Sequence, residues 1–144
     1  MVKVKPLDQR RLLGVAGHHA IVTDRKIEEG GGDVGCTSGE LLLLAIGSCA
    51  TGQVRKFLWA ARLPTDGLEV DVNFEPSAVA GERDEIAIDI CLPAAVLDGR
   101  HDQITVASQS GRVVSRMRLG SKVVVRCRSP ETSPASAPRE EILS

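Results

Sequence analysis

A chain of 144 residues can bury one core unaided and is too short for two ordinary domains, and its 42% apolar and 26% charged content is that of a globular protein. With Lys+Arg at 18 against Asp+Glu at 19, it carries no cationic field to displace counterions from a phosphate backbone, and Phe57, Trp59 and Phe74 are too few rings for base stacking. Nucleic acid is therefore not an expected partner.

In chain order, Val2 to Lys5 and Leu12 to Asp24 have the composition of strands, broken at Gly14 and Gly17, and open the chain as an antiparallel sheet. Met1-Val-Lys-Val-Lys-Pro6 alternates charge with valine and lacks the apolar run of a signal peptide, so a cytoplasmic location is expected. Glu28 to Ser38 follows as a glycine-rich loop, after which Thr37 or Ser38 can cap a helix. That helix is predicted over residues 39–62, ending before Pro64. Its fully apolar stretch, from Leu41 to about Ala50, is roughly half the ~20 residues that cross a bilayer, so it reads as a core helix and no membrane is expected as a partner. Because its first half is apolar on every side, it must be covered on all sides. One chain has too little sheet for that, which predicts a homodimer with the two long helices adjacent and Gly47, Ser48, Ala50 and Gly52 between them.

Leu68, Val70, Val72 and Phe74 alternate with polar residues, as do Ile86, Ile88, Ile90 and Leu92 with Ala87, Asp89 and Cys91, which predicts a hairpin of half-buried strands. A second helix is expected from Asp102 or Gln103 to Gly120, with Ile104, Ala107, Val114 and Met117 at helical spacing and Gly111 as an internal weak point. Lys122 to Cys127 reads as a closing strand. The expected organisation is one α+β domain over 1–127 and a disordered tail over 128–144, whose Pro, Ser and Ala cannot build a core.

Cys36, Cys49, Cys91 and Cys127 contain no Cys-x-x-Cys pair and have no clustered histidines, so neither a zinc site nor a disulfide scaffold is expected. His18 and His19 are adjacent in an extended run and point to opposite faces, which does not suit one metal. Gly30 to Gly35 lacks the strand-then-helix setting of a dinucleotide loop, so no cofactor is expected. Cys49 is the candidate nucleophile, since it lies on the apolar helix among small neighbours that leave a path to its sulfur. The competing reading is the ordinary one, a buried thiol acting as an inert small hydrophobe.

The segment Glu40-Leu-Leu-Leu-Leu-Ala-Ile-Gly-Ser-Cys49, preceded by Gly-His-His-Ala-Ile-Val-Thr-Asp24 and a glycine-rich loop, resembles the pattern of the OsmC/organic-hydroperoxide-resistance family. The resemblance continues through Leu68-Glu-Val-Asp-Val72 and spans roughly residues 10–127. It implies an OsmC-like α+β fold, an intertwined homodimer with active sites at the subunit interface, and thiol-dependent reduction of organic hydroperoxides or hydrogen peroxide. In that family the helix cysteine, here Cys49, is oxidised to a sulfenic acid that condenses with a second cysteine. The corresponding later segment here is Arg112-Val-Val-Ser-Arg116, with arginine where the partner thiol stands, so regeneration by an external thiol is implied.

The carboxylate that the hydroperoxide-specific branch carries ten residues before its cysteine is replaced by Gly39. Glu40, nine residues before Cys49, is about 900° away at 100° per residue, on the opposite face of the helix. It fits a structural role at the helix start. A thiolate needs a nearby cation, and Arg11 from the N-terminal sheet or Arg112 from the later helix is the candidate, each against the alternative of a solvated arginine. Cys36 in the glycine loop is the remaining candidate for a resolving thiol, although a bystander is the commoner state. Two functions stay open: a one-cysteine peroxidase acting in the oxidative stress response, and a non-catalytic OsmC-fold dimer that binds a small ligand at the subunit interface.

Overall fold

A computed structural model of the chain describes residues 1–76 and 85–118. The expected closing strand, Cys127 and the tail lie outside the described residues. Strands β1 (Val2–Pro6), β2 (Leu12–Ala16) and β3 (His19–Thr23) form an antiparallel sheet in that order. The β2–β3 hairpin turns on Gly17 and His18, where Gly17 takes φ 60°, a conformation that needs no β-carbon. Gly14 does not break the sheet. It pairs with Ile21, and a β-carbon there would lie 3.2 Å from the Ile21 Cγ2. Every residue of β1 is exposed, and the sheet packs chiefly on itself within the chain.

The glycine-rich loop is pinned from inside. Asp24, only 5% exposed, accepts backbone N–H groups from Arg25 at 2.8 Å, Gly32 at 3.0 Å and Val34 at 3.3 Å. These bonds, that from Arg25 foremost, hold its carboxyl below the usual carboxylate range, against the opposing effect of burial. Lys26 then bridges Asp33 at 3.3 Å and Glu40 at 3.0 Å, tying the loop to the start of the long helix.

That helix, α1, spans Ser38–Ala60. Thr37 caps it: its hydroxyl accepts the Glu40 N–H at 3.2 Å while the Glu40 carboxylate accepts the Thr37 N–H at 2.7 Å. The Thr37 N–H and Lys26 together hold the Glu40 carboxyl below its ordinary value. At the other end Arg62 turns left-handed with φ 56°, so that Arg62 N–H reaches the Trp59 carbonyl and Leu63 N–H the Leu58 carbonyl, the Schellman arrangement. Leu63 packs back onto the core below.

Ile46, Ala50, Val54 and Leu58 recur every four residues and form the buried stripe of α1. β4 (Glu69–Glu75) and β5 (Glu85–Cys91) make the expected antiparallel hairpin, with Val70 opposite Ile90 and Val72 opposite Ile88. β4 packs on α1 beside Gly47, where a β-carbon would lie 3.2 Å from Val72 Cγ2. One core cluster joins Val54 and Leu58 to Leu92, Val96 and Ile104, and a second joins Ile46 and Ala50 to Val114.

The predicted second helix is divided. A short α2 (Ala94–Leu97) precedes α3 (His101–Gln109) and α4 (Arg112–Arg118), with a corner at Ser110 and Gly111. Of the four small residues expected between two long helices, Ala50 is buried within the chain and Gly47 faces β4, whereas Ser48 and Gly52 are exposed. By length and apolar content α1 passes for a membrane span, as core helices often do; within one chain only 28% of its most apolar window is buried. Trp59, at 82% exposed, stands outside the core.

Two stability predictions follow from these clamps. Arg62→Gly should raise the unfolding free energy by about 1 kcal/mol, the cost of a side chain in left-handed backbone, read as a higher denaturant midpoint at unchanged m-value. Because Asp24 and Glu40 are both held below their unfolded values, their contribution is present above about pH 4 and lost as pH falls through the folded values. Asp24→Asn should therefore lower Tm at pH 7, and the gap from the parent should close as pH is taken down through that window.

Candidate active site

Cys49 lies midway along α1, half-buried, one residue from Ala50 and packed with Ile46, Ala50 and Val114. The same face of the helix carries Gln53 one turn later. The α3–α4 corner sits over this pair. Gly111 is buried, and a β-carbon on it would collide with Cys49 Sγ and come within 3.1 Å of Gln53 Cγ. The sulfur thus fills the space that a side chain at 111 would take.

Ser110 adds a polar contact to the same pair. Its hydroxyl donates to the Ala107 carbonyl at 2.7 Å and lies 3.5 Å from Gln53 Oε1. A hydroxyl has one proton, and the shorter bond uses it, so the contact with Gln53 is a long and weak one.

Arg112 is the residue after the one that covers the sulfur, and it begins α4 with its side chain exposed. The structure therefore brings together Cys49 and the start of the segment that carries Arg112. Arg11 belongs to a different neighbourhood. Its guanidinium Nε donates to Asp8 Oδ2 at 2.6 Å, and Asp8 also accepts the N–H groups of Arg10 and Arg11. The Arg11 side-chain bond, foremost among these, lowers the Asp8 pKa to about 2, and the pair shares its cleft with Asp24, Gly32 and Val34. Within one chain Arg11 is engaged by Asp8, while Cys49 packs against Gly111 and the Ile46 cluster.

Ile46 and Val114, both packed with Cys49, also line a cavity of about 310 Å³ whose other described walls are the β5 isoleucines, Met117, and Thr105, Ser108 and Gln109 on its polar side. Cys36 is a half-buried free thiol in the pinned loop, and Cys91 is an exposed free thiol at the end of β5. Among the described residues no group of His, Cys, Asp and Glu is arranged to hold a metal ion.

Two features of the site went unread in the sequence. Gly111 entered only as a weak point of a helix, and its sign was that a glycine inside an otherwise helical pattern usually has a packing reason. Asp24, which by sequence reads as the end of a strand, fixes the loop ahead of α1; an aspartate a few residues before a glycine-rich run is the available cue.

No family model and no curated protein matches the sequence. Solved structures do. An osmotic stress induced and detoxification response protein, so described, from Psychrobacter arcticus 273-4 is 16% identical with TM-score 0.58, over 79% of this chain and 85% of that one. A hypothetical protein from Aquifex aeolicus VF5 is 18% identical with TM-score 0.60, over 84% and 88%. The organic hydroperoxide resistance protein OsmC of Legionella pneumophila, also described as a predicted redox protein, is 8% identical with TM-score 0.56, over 82% and 88%. At such identities the likeness speaks to architecture, and it agrees with the sequence motif around Cys49: this chain has the fold of the OsmC-type proteins.

Proposed function

We propose that the chain is a thiol-dependent peroxidase of one-cysteine type, with Cys49 as the nucleophile. The observation that carries the reading is the seat of Cys49: a half-buried thiol on α1, met by the corner that begins the Arg112 helix, in a fold shared with a hydroperoxide resistance protein. The apolar cavity beside Ile46 and Val114 supports an organic hydroperoxide as substrate, since it offers room for a hydrocarbon body next to the sulfur's own packing partners.

In the first step the Cys49 thiolate attacks the terminal oxygen of the hydroperoxide. The O–O bond breaks, its electron pair leaves with the alkoxide, which takes a proton and departs as alcohol, and sulfur becomes a sulfenic acid by two-electron oxidation. A cation lowers the cost of the thiolate and of the departing alkoxide, and Arg112 is the residue assigned to it. An external thiol then displaces water from the sulfenic acid to give a mixed disulfide, and a second releases the external disulfide and restores Cys49. Each turnover thus converts one hydroperoxide and two thiols into an alcohol, water and a disulfide.

The working unit is a homodimer. What supports this is the exposed apolar surface of one chain on α1 and the N-terminal sheet, including Leu42, Leu44, Val2, Val4 and Ile21. In a dimer the partner's sheet is the source of an arginine such as Arg11, which would first have to leave Asp8. The expected location is the cytoplasm, where small thiols keep Cys49 reduced.

Treatment with limiting cumene hydroperoxide followed by dimedone should add one label, at Cys49, found by peptide mass spectrometry, and Cys49→Ser should lose peroxide consumption with its fold intact. Slow alkylation of Cys49 at neutral pH with no turnover under any thiol would instead leave a ligand-binding dimer. Arg112→Ala should lower kcat/KM for the hydroperoxide by about 10²-fold, in line with the loss of one charge-stabilising group, while Arg112→Lys should retain part of it. Sedimentation equilibrium should return twice the chain mass of 15.3 kDa.

A further inference from the structure

The corner between α3 and α4 does more than join two helices. Gly111 is buried without a side chain, and the place its β-carbon would occupy is filled by Cys49 Sγ. The same backbone lies against Gln53, the next residue of the Cys49 face, so the corner spans one full turn of α1 around the thiol. Gly111 also starts α4, since its carbonyl accepts the Ser115 N–H at 2.9 Å. The Ser110 hydroxyl makes only a long 3.5 Å contact with Gln53, while at 111 the corner meets the helix by close packing.

We propose that Gly111 is the positioning residue of the Cys49 site: its bare backbone seats the thiol in a single covered orientation beneath the α3–α4 corner, beside the first residue of α4. The inference rests on the reading of Cys49 as the peroxide-reactive thiol, and it adds the group that fixes where the sulfur points. With glycine at 111, Sγ is free to lie beneath the corner, and attack on a peroxide starts from that place. With any larger residue, the sulfur must rotate away or the corner must lift. Either response makes the thiol more accessible and less well aimed.

Two rates that ought to move in opposite directions test this. In Gly111→Ala, alkylation of Cys49 by iodoacetamide should be several-fold faster than in the parent, with the half-buried Cys36 in the same molecule unchanged as the internal reference. Hydroperoxide turnover should fall by about 10²-fold, the scale expected for a nucleophile displaced by an ångström. A merely destabilised protein would instead speed alkylation at Cys36 as well.

Should Gly111→Ala fold poorly, thermal midpoints still decide the matter. The loss in Tm caused by Gly111→Ala should largely disappear in a Cys49→Ala background, where no sulfur competes for the space. Equal losses in both backgrounds, or alkylation and turnover both within twofold of the parent, would overturn the role of Gly111 while leaving a parent that consumes hydroperoxide as a peroxidase. A parent with no turnover, but with Cys49 alkylation accelerated by Gly111→Ala, would remove the peroxidase reading and keep the seat.

Discussion

The structure is organised around a helix that no single face of packing can satisfy. α1 is apolar on nearly all sides over its first half, and water at those sides costs free energy in proportion to the area left uncovered. One chain supplies β4, α3 and α4 as cover, and they account for the buried stripe Ile46, Ala50, Val54 and Leu58. The remaining apolar surface, with Leu44 at 55% exposed, is what the chain by itself does not hide. Placing the candidate nucleophile on such a helix puts it between a surface covered within the chain and one that the chain leaves exposed.

The covered side is where the chemistry gathers. A thiol in hydrocarbon alone is a small hydrophobe, and one in open water is neither aimed nor protected. Cys49 has an intermediate setting: apolar packing below it from Ile46 and Ala50, backbone above it from Gly111, and the polar groups of Gln53 and Ser110 to one side. The pinned loop contributes indirectly. Asp24 and Lys26 fix the chain ahead of α1, so the helix start is held by hydrogen bonds and an ion pair rather than left to a flexible glycine run.

What the sequence disclosed was whatever depends on local periodicity and chain punctuation. Alternation marked β4 and β5 almost to the residue, and Thr37 and Pro64 bracketed α1 because caps and prolines act on their immediate neighbours. Cys49 stood out by the pattern in which it sits. What stayed hidden depends on contacts between residues far apart in sequence. The later helix divides at Gly111, whose side-chain space is filled by Cys49, 62 positions earlier, and periodicity carries no trace of that contact. The allocation of Gly47 and Ala50 to the chain's own β4 and α4, rather than to a partner helix, likewise turns on rotation about the α1 axis, which a list of small residues does not specify. Arg11 stands in the sequence as an early cation, yet its carboxylate neighbour Asp8, three residues away, claims it first.

The position of Trp59 makes the molecule spectroscopically unusual. It is the single tryptophan of a chain without tyrosine, and its indole stands in solvent near the end of α1. Ultraviolet emission therefore originates from one already hydrated fluorophore, and denaturation of the interior changes that environment little. Circular dichroism follows the loss of helix, while a blue shift in emission reports instead the arrival of another surface over the last turns of α1.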